Sequence, residues 1–354
     1  MFSWLYGAIT RARNSLYEKS VFKSYSLGVL TVSVGNITVG GTGKTPLVAL
    51  IAEVLAKKGE RVCILTRGYG RDNPKKRVLV SDGEKILTDV GQAGDEPFEL
   101  AQRLLGKAIV IADANRISAG NWAREKFGIT AFILDDAFQH RKVRRNLDVV
   151  CIDATNPFGN GKTLPSGILR EPLENLKRAD AIVITRANLT KDVLSLKSQI
   201  SKYNRTCPIF VAENKISELV KLEEFPAKAQ STQSFEKQER SKDKVLKTKV
   251  FAFCALGNPN NFFEQLRQER FELVSTQKFS DHHSYTQKNI EKLVAQADQS
   301  GAKALLTTAK DAVKLKDLKF EVPCFVVESA MVFDGENDFR DWLLIQDLKI
   351  KIQN

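Results

Sequence analysis

"LTVSVGNITVGGTGKTPLVAL", residues 30–50, decides the reading of the fold. A β-branched apolar run, 30–36, leads into a glycine-rich loop, and the loop opens into a helical pattern. Strand, glycine loop and helix in that order are the setting of a phosphate loop, G-x-x-x-x-G-K-[ST]. Thr38 stands where the pattern has its leading glycine, a harmless change if position 38 needs no positive φ. Gly40, Gly41 and Gly43 let the backbone curl so that its N–H groups face phosphate oxygens, and the following helix adds its positive N-terminal end. Lys44 is placed to bridge β- and γ-phosphates and Thr45 to bind Mg2+. The expected nucleotide-binding set is Thr38, Gly40, Gly41, Thr42, Gly43, Lys44 and Thr45, with Mg2+ beside the phosphates.

Outward from this loop, strands alternate with helices. The runs 30–36, 61–67, 108–113, 130–136, 148–154, 180–186 and 207–213 are near-continuously apolar, and helical patterns occupy 45–58, 96–106, 116–127 and 191–202. Such strands with helical crossovers predict a P-loop NTPase-like α/β domain, its mainly parallel sheet covered on both faces by helices. This core spans 29–225. Residues 226–249 are polar and charged, with only Phe235, Val245 and Leu246 bulky and apolar, and read as a linker or insertion. A second, smaller α/β domain, 250–354, follows, with helices at 259–269 and 286–299.

Residues 1–28 hold an amphipathic helix. Phe2, Leu5, Ile9, Ala12 and Leu16 form one stripe, Arg11, Asn14 and Glu18 point the other way, and Trp4 and Tyr6 are amphipathic aromatics near the start. Periodicity leaves open a helix in a membrane interface and a helix packed on the protein's own core.

The 54 Lys and Arg residues outnumber the 42 Asp and Glu, for a net charge of +12. That excess favours an anionic partner without choosing among nucleic acid, nucleotide, phosphorylated metabolite and anionic membrane. No run reaches the ~18 apolar residues of a spanning helix, and no secretory leader is expected. The five cysteines are scattered without a C-x-x-C pair, as in a reduced protein.

Five further clusters carry chemistry. "AFILDDAFQH", 131–140, delivers Asp135 and Asp136 at a strand's C-terminal end, where a Walker-B acid holds Mg2+. "AGDEPFEL", 93–100, puts Asp95 and Glu96 at a helix start, where a cap explains them as well as catalysis does. "FSDHHSYT", 279–286, groups Asp281, His282 and His283, and His140 is the only other histidine. A histidine, or an aspartate linked to one, suits a general base. "NPFGNGKTLPSGILREP", 156–172, is a long turn-rich loop ending in Arg170 and Glu171, and Arg170 is suited to phosphate. "RKVRR", 141–145, reads equally as a solvated basic turn.

Together these residues resemble one family, the tetraacyldisaccharide 4'-kinases. The resemblance rests on "SWLYG" (3–7), "VGNITVGGTGKTP" (34–46), "RGYG" (67–70), "AGDEP" (93–97), "DDAFQH" (135–140), "FGNGKTLPSGILRE" (158–171), "FSDHH" (279–283) and "KDAVKL" (310–315). It implies two α/β/α domains with nucleotide in the cleft between them, at the cytoplasmic face of the bacterial inner membrane as a peripheral protein. It implies transfer of the γ-phosphate of ATP, with Mg2+, to the 4'-hydroxyl of a lipid A precursor, a disaccharide 1-phosphate lipid. By the same resemblance Lys44 and Thr45 serve nucleotide and Mg2+, and Asp135 and Asp136 the metal region. Asp95 is the catalytic base with His282 its partner, and Arg116, His140, Arg170 and Glu171 are further active-site positions; Glu96 and Asp281 join them as neighbours of the base and its histidine. The family usually has glycine at Ala137. Under this resemblance the N-terminal stripe becomes a membrane-surface helix.

Two rivals stand beside it. A nucleic-acid-binding P-loop ATPase would use the same charge, but no recognised nucleic-acid motif is present and nucleic acid is not an expected partner. A P-loop kinase with a soluble acceptor would need no membrane.

Overall fold

The computed structural model describes residues 2–225 and 245–353. Helix α1 (Phe2–Glu18) precedes β1 (Leu30–Asn36), α2 (Lys44–Lys57), β2 (Val62–Thr66), β3 (Val78–Ser81), α3 (Val90–Ala93), α4 (Asp95–Arg103) and β4 (Ala108–Ala112). Then come α5 (Arg116–Phe127), β5 (Ala131–Asp135), β6 (Leu147–Asp153), β7 (Ala181–Thr185), α6 (Val193–Ser201) and β8 (Ile209–Lys221). The remainder holds β9 (Lys249–Cys254), α7 (Pro259–Gln268), β10 (Glu272–Lys278), α8 (Gln287–Gln299), β11 (Ala304–Thr308), α9 (Ala309–Ala312), β12 (Cys324–Phe333) and α10 (Glu336–Gln353).

These strands form one twelve-stranded sheet in the order β10-β9-β11-β12-β8-β7-β6-β1-β5-β2-β4-β3. It is parallel apart from β3 on β4 at one edge and β12 on β8 in the interior. Strands β1, β2, β4, β5, β6 and β7 are buried at every position, as helices on both faces require of their apolar runs. On one face a single core runs from Val32, Ile51 and Ile133 to Phe251, Phe253 and Phe339.

Strand β8 carries the chain from one half of the sheet to the other. Residues 209–211 pair with β7 in parallel, and 212–221 pair antiparallel with β12. Apolar runs predict this strand to end at Glu213, but it continues to Lys221. Beyond 213 its apolar residues are Ile216, Leu219 and Val220, so neither a continuous run nor a two-residue alternation marks it. Helix α10 returns to the first half, where its buried Asp347 pairs with Lys58 beside α2. Of the polar segment expected at 226–249, residues 226–244 lie outside the described residues; Val245 is buried in a core with Phe262 and Leu306.

Helix α1 does not bury its apolar stripe. Phe2, Leu5 and Ile9 are 74%, 51% and 60% exposed, while Gly7, Thr10 and Asn14 face inward. Asn14, placed by its spacing on the outer face, is drawn in because its Nδ2 donates to the buried Glu171 carboxylate at 2.7 Å. A buried carboxylate must be supplied with donors, and that demand overrides the hydrophobic pattern.

Strand β1 lies between β5 and β6, both parallel to it. The chain leaves β1 toward β2 on one side and later enters β6 on the other. In open α/β sheets this switch point, at the strands' carboxyl ends, is where ligands bind. Close approach there depends on Gly35: a Cβ at this position would lie 2.6 Å from the Phe138 Cβ and backbone nitrogen. Gly35→Ala is expected to lower stability by about 1–3 kcal/mol, the usual result of overpacking. A drop in the chemical-denaturation midpoint at unchanged slope checks it.

Candidate active site

The loop after β1 begins as an extension of the sheet. Arg170 N–H donates to the Ile37 carbonyl and Val39 N–H to the Ile168 carbonyl, both at 2.8 Å, and Thr38 bridges antiparallel to Leu169. Thr38 is therefore buried in a short ladder and does not line the cleft. Position 38 has no positive φ, unlike Gly40 (99°) and Gly43 (77°), which explains why the missing leading glycine does no harm. Gly40 to Thr45 all line a cleft of about 1150 Å³ between the two halves of the chain.

Strand β5 ends at Asp135, and Asp136 follows in a left-handed turn with φ of 49°. Asp136 receives two cations. Arg170 Nη1 lies 2.8 and 2.9 Å from its carboxylate oxygens, and Lys44 Nζ lies 3.4 Å away. Burial would raise the Asp136 pKa, but Lys44 and Arg170 outweigh it and hold the carboxyl below the usual range. Asp135 goes the other way: burial, Glu96 and Asp136 push it well above the carboxylate range against the pull of Lys44 and Arg116. Its Oδ2 accepts from Thr66 Oγ1 at 3.1 Å, and its carbonyl accepts from the buried Arg116 at 2.6 Å. Ala137 needs no glycine conformation, since its φ is not positive.

The second half supplies the opposite wall. His282 Nδ1 lies 2.9 Å from Asp95 Oδ2, and Lys314 Nζ lies 2.5 Å from the same oxygen. Burial raises Asp95, but the hydrogen bonds and charges of His282 and Lys314 bring it below the ordinary value. His282 is raised, chiefly by its bond to Asp95 and against the effect of burial. Asp281 pairs with Lys310 at 3.0 Å. The non-glycine residues with positive φ among those described are Ser20, Asp136, Arg186, Arg270 and His282. Asp136, Arg186 and His282 all line the cleft, and strain of this kind clusters where function holds it in place.

The fold thus gathers Gly40–Thr45, Glu96, Asp136, Arg170, Asp281 and His282 on one cleft, with Asp95, Asp135 and Arg116 directly behind. His140 and Glu171 do not line it. His140 is lowered to about 4 by burial and by Arg116 and Arg145, which keeps it neutral. Glu171 is fully buried and is held by Arg178, at 3.0 Å, and Asn14. Asp95, Asp135 and Arg116 are likewise absent from the lining, so His140 and Glu171 stand one layer back as those three do. Lys310, Lys314 and Arg186 were not singled out from the sequence. The "KDAVKL" motif marks the two lysines, but nothing local aims either of them at an aspartate.

The family model for LpxK, tetraacyldisaccharide-1-P 4'-kinase, matches residues 1–346. The chain belongs to this family. The tetraacyldisaccharide 4'-kinase of Halothermothrix orenii is 39% identical over 313 residues, 88% of this chain and 80% of that protein. The kinase of Desulfotalea psychrophila is 38% identical over 325 residues, covering 91% and 89%. A crystal structure of LpxK from Aquifex aeolicus in complex with ATP is similar over 98% of this chain and 97% of its own, with a TM-score of 0.74 and 32% identity. Among the described residues no helix is long and apolar enough to cross a membrane.

In this family member the His282–Asp95 bond predicts a measurable titration. The raised His282 pKa should fall toward the model-peptide value of 6.5 in Asp95→Asn. The bond's stabilisation is present below the unfolded-state pKa of His and fades as pH rises through the folded one. NMR titration of the His282 ring in the two proteins checks the shift.

Proposed function

We propose that the chain transfers the γ-phosphoryl group of ATP to the 4'-hydroxyl of a tetraacyldisaccharide 1-phosphate in lipid A assembly. The observation that carries this reading is the convergence, in one cleft of an LpxK family member, of a phosphate loop and an Asp–His pair that the sequence keeps 187 residues apart. In the reaction a bond forms from the acceptor oxygen to the γ-phosphorus and the bond to ADP's bridging oxygen breaks. The acceptor proton passes to the Asp95–His282 pair, with the carboxylate as base and the imidazole sharing the charge. Lys314 keeps that carboxylate anionic. Lys44 and Arg170, which share Asp136 in the structure, are free to turn toward the transferring phosphoryl oxygens.

Thr45, Asp135 and Asp136 are hard oxygen donors beside the phosphate loop, and such a set suits Mg2+, which binds through one or two carboxylates plus phosphates. The buried Asp135, whose proton affinity is raised where no cation offsets its neighbours, fits that role. Mg2+ would neutralise charge on the phosphates.

The expected boundary at 225 moves to 211, where β8 changes partner, and the halves of the sheet on either side act as two bodies closing on the nucleotide with that change of partner as the flexing point. Residues 1–28 seat the protein on the cytoplasmic face of the inner membrane. The exposed stripe Phe2, Leu5 and Ile9, with Trp4 71% exposed beside it, supports this.

Lys44→Ala should abolish phosphoryl transfer from labelled ATP to the disaccharide 1-phosphate lipid in micelles without loss of folding. Near-normal transfer by the folded variant would remove Lys44 from the mechanism. The paired change Leu5→Ser with Ile9→Ser should weaken binding to anionic phospholipid vesicles at least about tenfold, given ~1.5–3 kcal/mol per buried aliphatic side chain. Both side chains are exposed, so the thermal midpoint should hold; sedimentation with vesicles reads the outcome.

A further inference from the structure

The end of β7 holds the phosphate loop from behind. Thr185 Oγ1 donates to the Thr42 carbonyl at 2.9 Å, and Arg186 Nη1 donates to the Gly41 carbonyl at 2.7 Å. A phosphate loop works by turning successive N–H groups toward its ligand, which requires the carbonyls to be satisfied elsewhere. These two bonds fix two consecutive carbonyls away from the ligand side. Arg186 does this from a left-handed conformation, φ 55°, one that a non-glycine residue keeps only where its surroundings over-determine it.

What over-determines it is Asp153 at the end of β6. Asp153 is buried, pairs with the Arg186 guanidinium, and accepts from the Thr155 N–H at 3.0 Å and the Thr155 hydroxyl at 2.8 Å. The same carboxylate is reached from across the cleft. Asn261 Nδ2, on α7 of the second half, lies 3.3 Å from Asp153 Oδ2 and 3.2 Å from Thr155 Oγ1. Close by, Asn188 Nδ2 donates to Gln268 Oε1 at 3.0 Å, and Gln268 Nε2 donates to the Asn188 carbonyl at 2.9 Å. An unbroken chain of polar contacts therefore runs from α7 through Asp153 and Arg186 to Gly41.

We propose that Arg186 is a positioning residue that sets the phosphate loop, and that Asn261 makes this setting depend on the second half being seated against the first. The proposal rests on the kinase reading and extends it: the loop is fully shaped for phosphate only when the wall that carries His282 is in place. Binding and proton acceptance are then prepared by one seating event. An exposed arginine acting only through its charge would need neither the buried aspartate nor the strained backbone.

The test uses the full chain. Mg2+–ATP binding is measured by calorimetry, and initial rates are measured with ATP and lipid varied separately. Arg186→Ala should raise the Kd and KM for ATP about tenfold, the scale of one lost charge-assisted hydrogen bond. The KM for lipid should not move and the thermal midpoint should shift little, while Arg186→Lys should recover part of the loss. Asn261→Ala should raise the same ATP constants by a smaller factor, and the double variant should be no worse than Arg186→Ala, because groups acting as a unit are non-additive. Unchanged ATP constants in Arg186→Ala would overturn the proposal. So would a rise in lipid KM equal to that in ATP KM together with a marked fall in thermal midpoint, the signs of a merely structural role. Additive losses in the double variant would overturn the link to Asn261. An unmodified chain that binds no ATP would overturn the kinase reading itself, and this proposal with it.

Discussion

One carboxylate, Asp136, holds two cations from loops that the sequence keeps far apart. Lys44 opens α2 at the close of the phosphate loop, and Arg170 comes from the return loop before β7. Much of the surrounding structure serves to bring them there. Gly35 lets β1 approach the turn that carries Asp136, and the ladder at Thr38 and Leu169 ties the return loop to the phosphate loop so that Arg170 faces inward. In a cleft where both cations and the carboxylate are largely buried, their mutual neutralisation removes most of the desolvation penalty of holding them together. It also leaves them poised: a polyanionic ligand offers each cation a better partner than a shared carboxylate does.

The strand-end chemistry was legible because it is local. A glycine loop between strand and helix, and paired aspartates closing an apolar strand, obey rules of spacing that hold wherever the sheet lies. What escaped depends on partners distant in sequence. Asn14 carries an outward-facing signal and turns inward because of Glu171, 157 residues away. Lys314 lies in a marked motif, but nothing local names its partner, Asp95 on α4, which meets it only where the two halves of the chain come together. The second half of β8 carries neither an apolar run nor a regular alternation, and becomes readable as a strand only with β12 beside it. Motif resemblance had a different limit. It marked Thr38, His140 and Glu171 together with Lys44 and Asp136, although Thr38 sits in a ladder with Leu169 and Glu171 is buried against Arg178 and Asn14. A recurring motif records everything a geometry needs, packing included.

The cleft also separates its two ionisable pairs by environment. At Asp136 the cations come from the same half of the chain as the acid, so this ion cluster is assembled within that half. At Asp95 both partners, His282 and Lys314, come from the other half. Burial raises the Asp95 pKa, and what lowers it, the hydrogen bonds and charges of His282 and Lys314, is supplied wholly from across the cleft.

Helix α1 extends that logic toward the acceptor. Its inward face is bonded along the loop that ends in Arg170: Ser3 meets Thr163 and Ser166, the Tyr6 hydroxyl donates to the Arg170 carbonyl at 3.1 Å, and Asn14 reaches Glu171. The apolar stripe occupies the opposite side of the same helix. On the membrane reading, the bilayer surface and the backbone that aims Arg170 lie on two faces of one rigid element, about one helix diameter or ~10 Å apart. Docking the stripe then places Arg170 and its phosphate site at a set depth beneath the lipid headgroups. An acceptor whose acyl chains stay in the bilayer can present its sugar hydroxyl only within a narrow range of heights, so this rigid link fits a lipid-anchored substrate. A soluble acceptor would reach the cleft from any direction and would leave the outward stripe without a purpose.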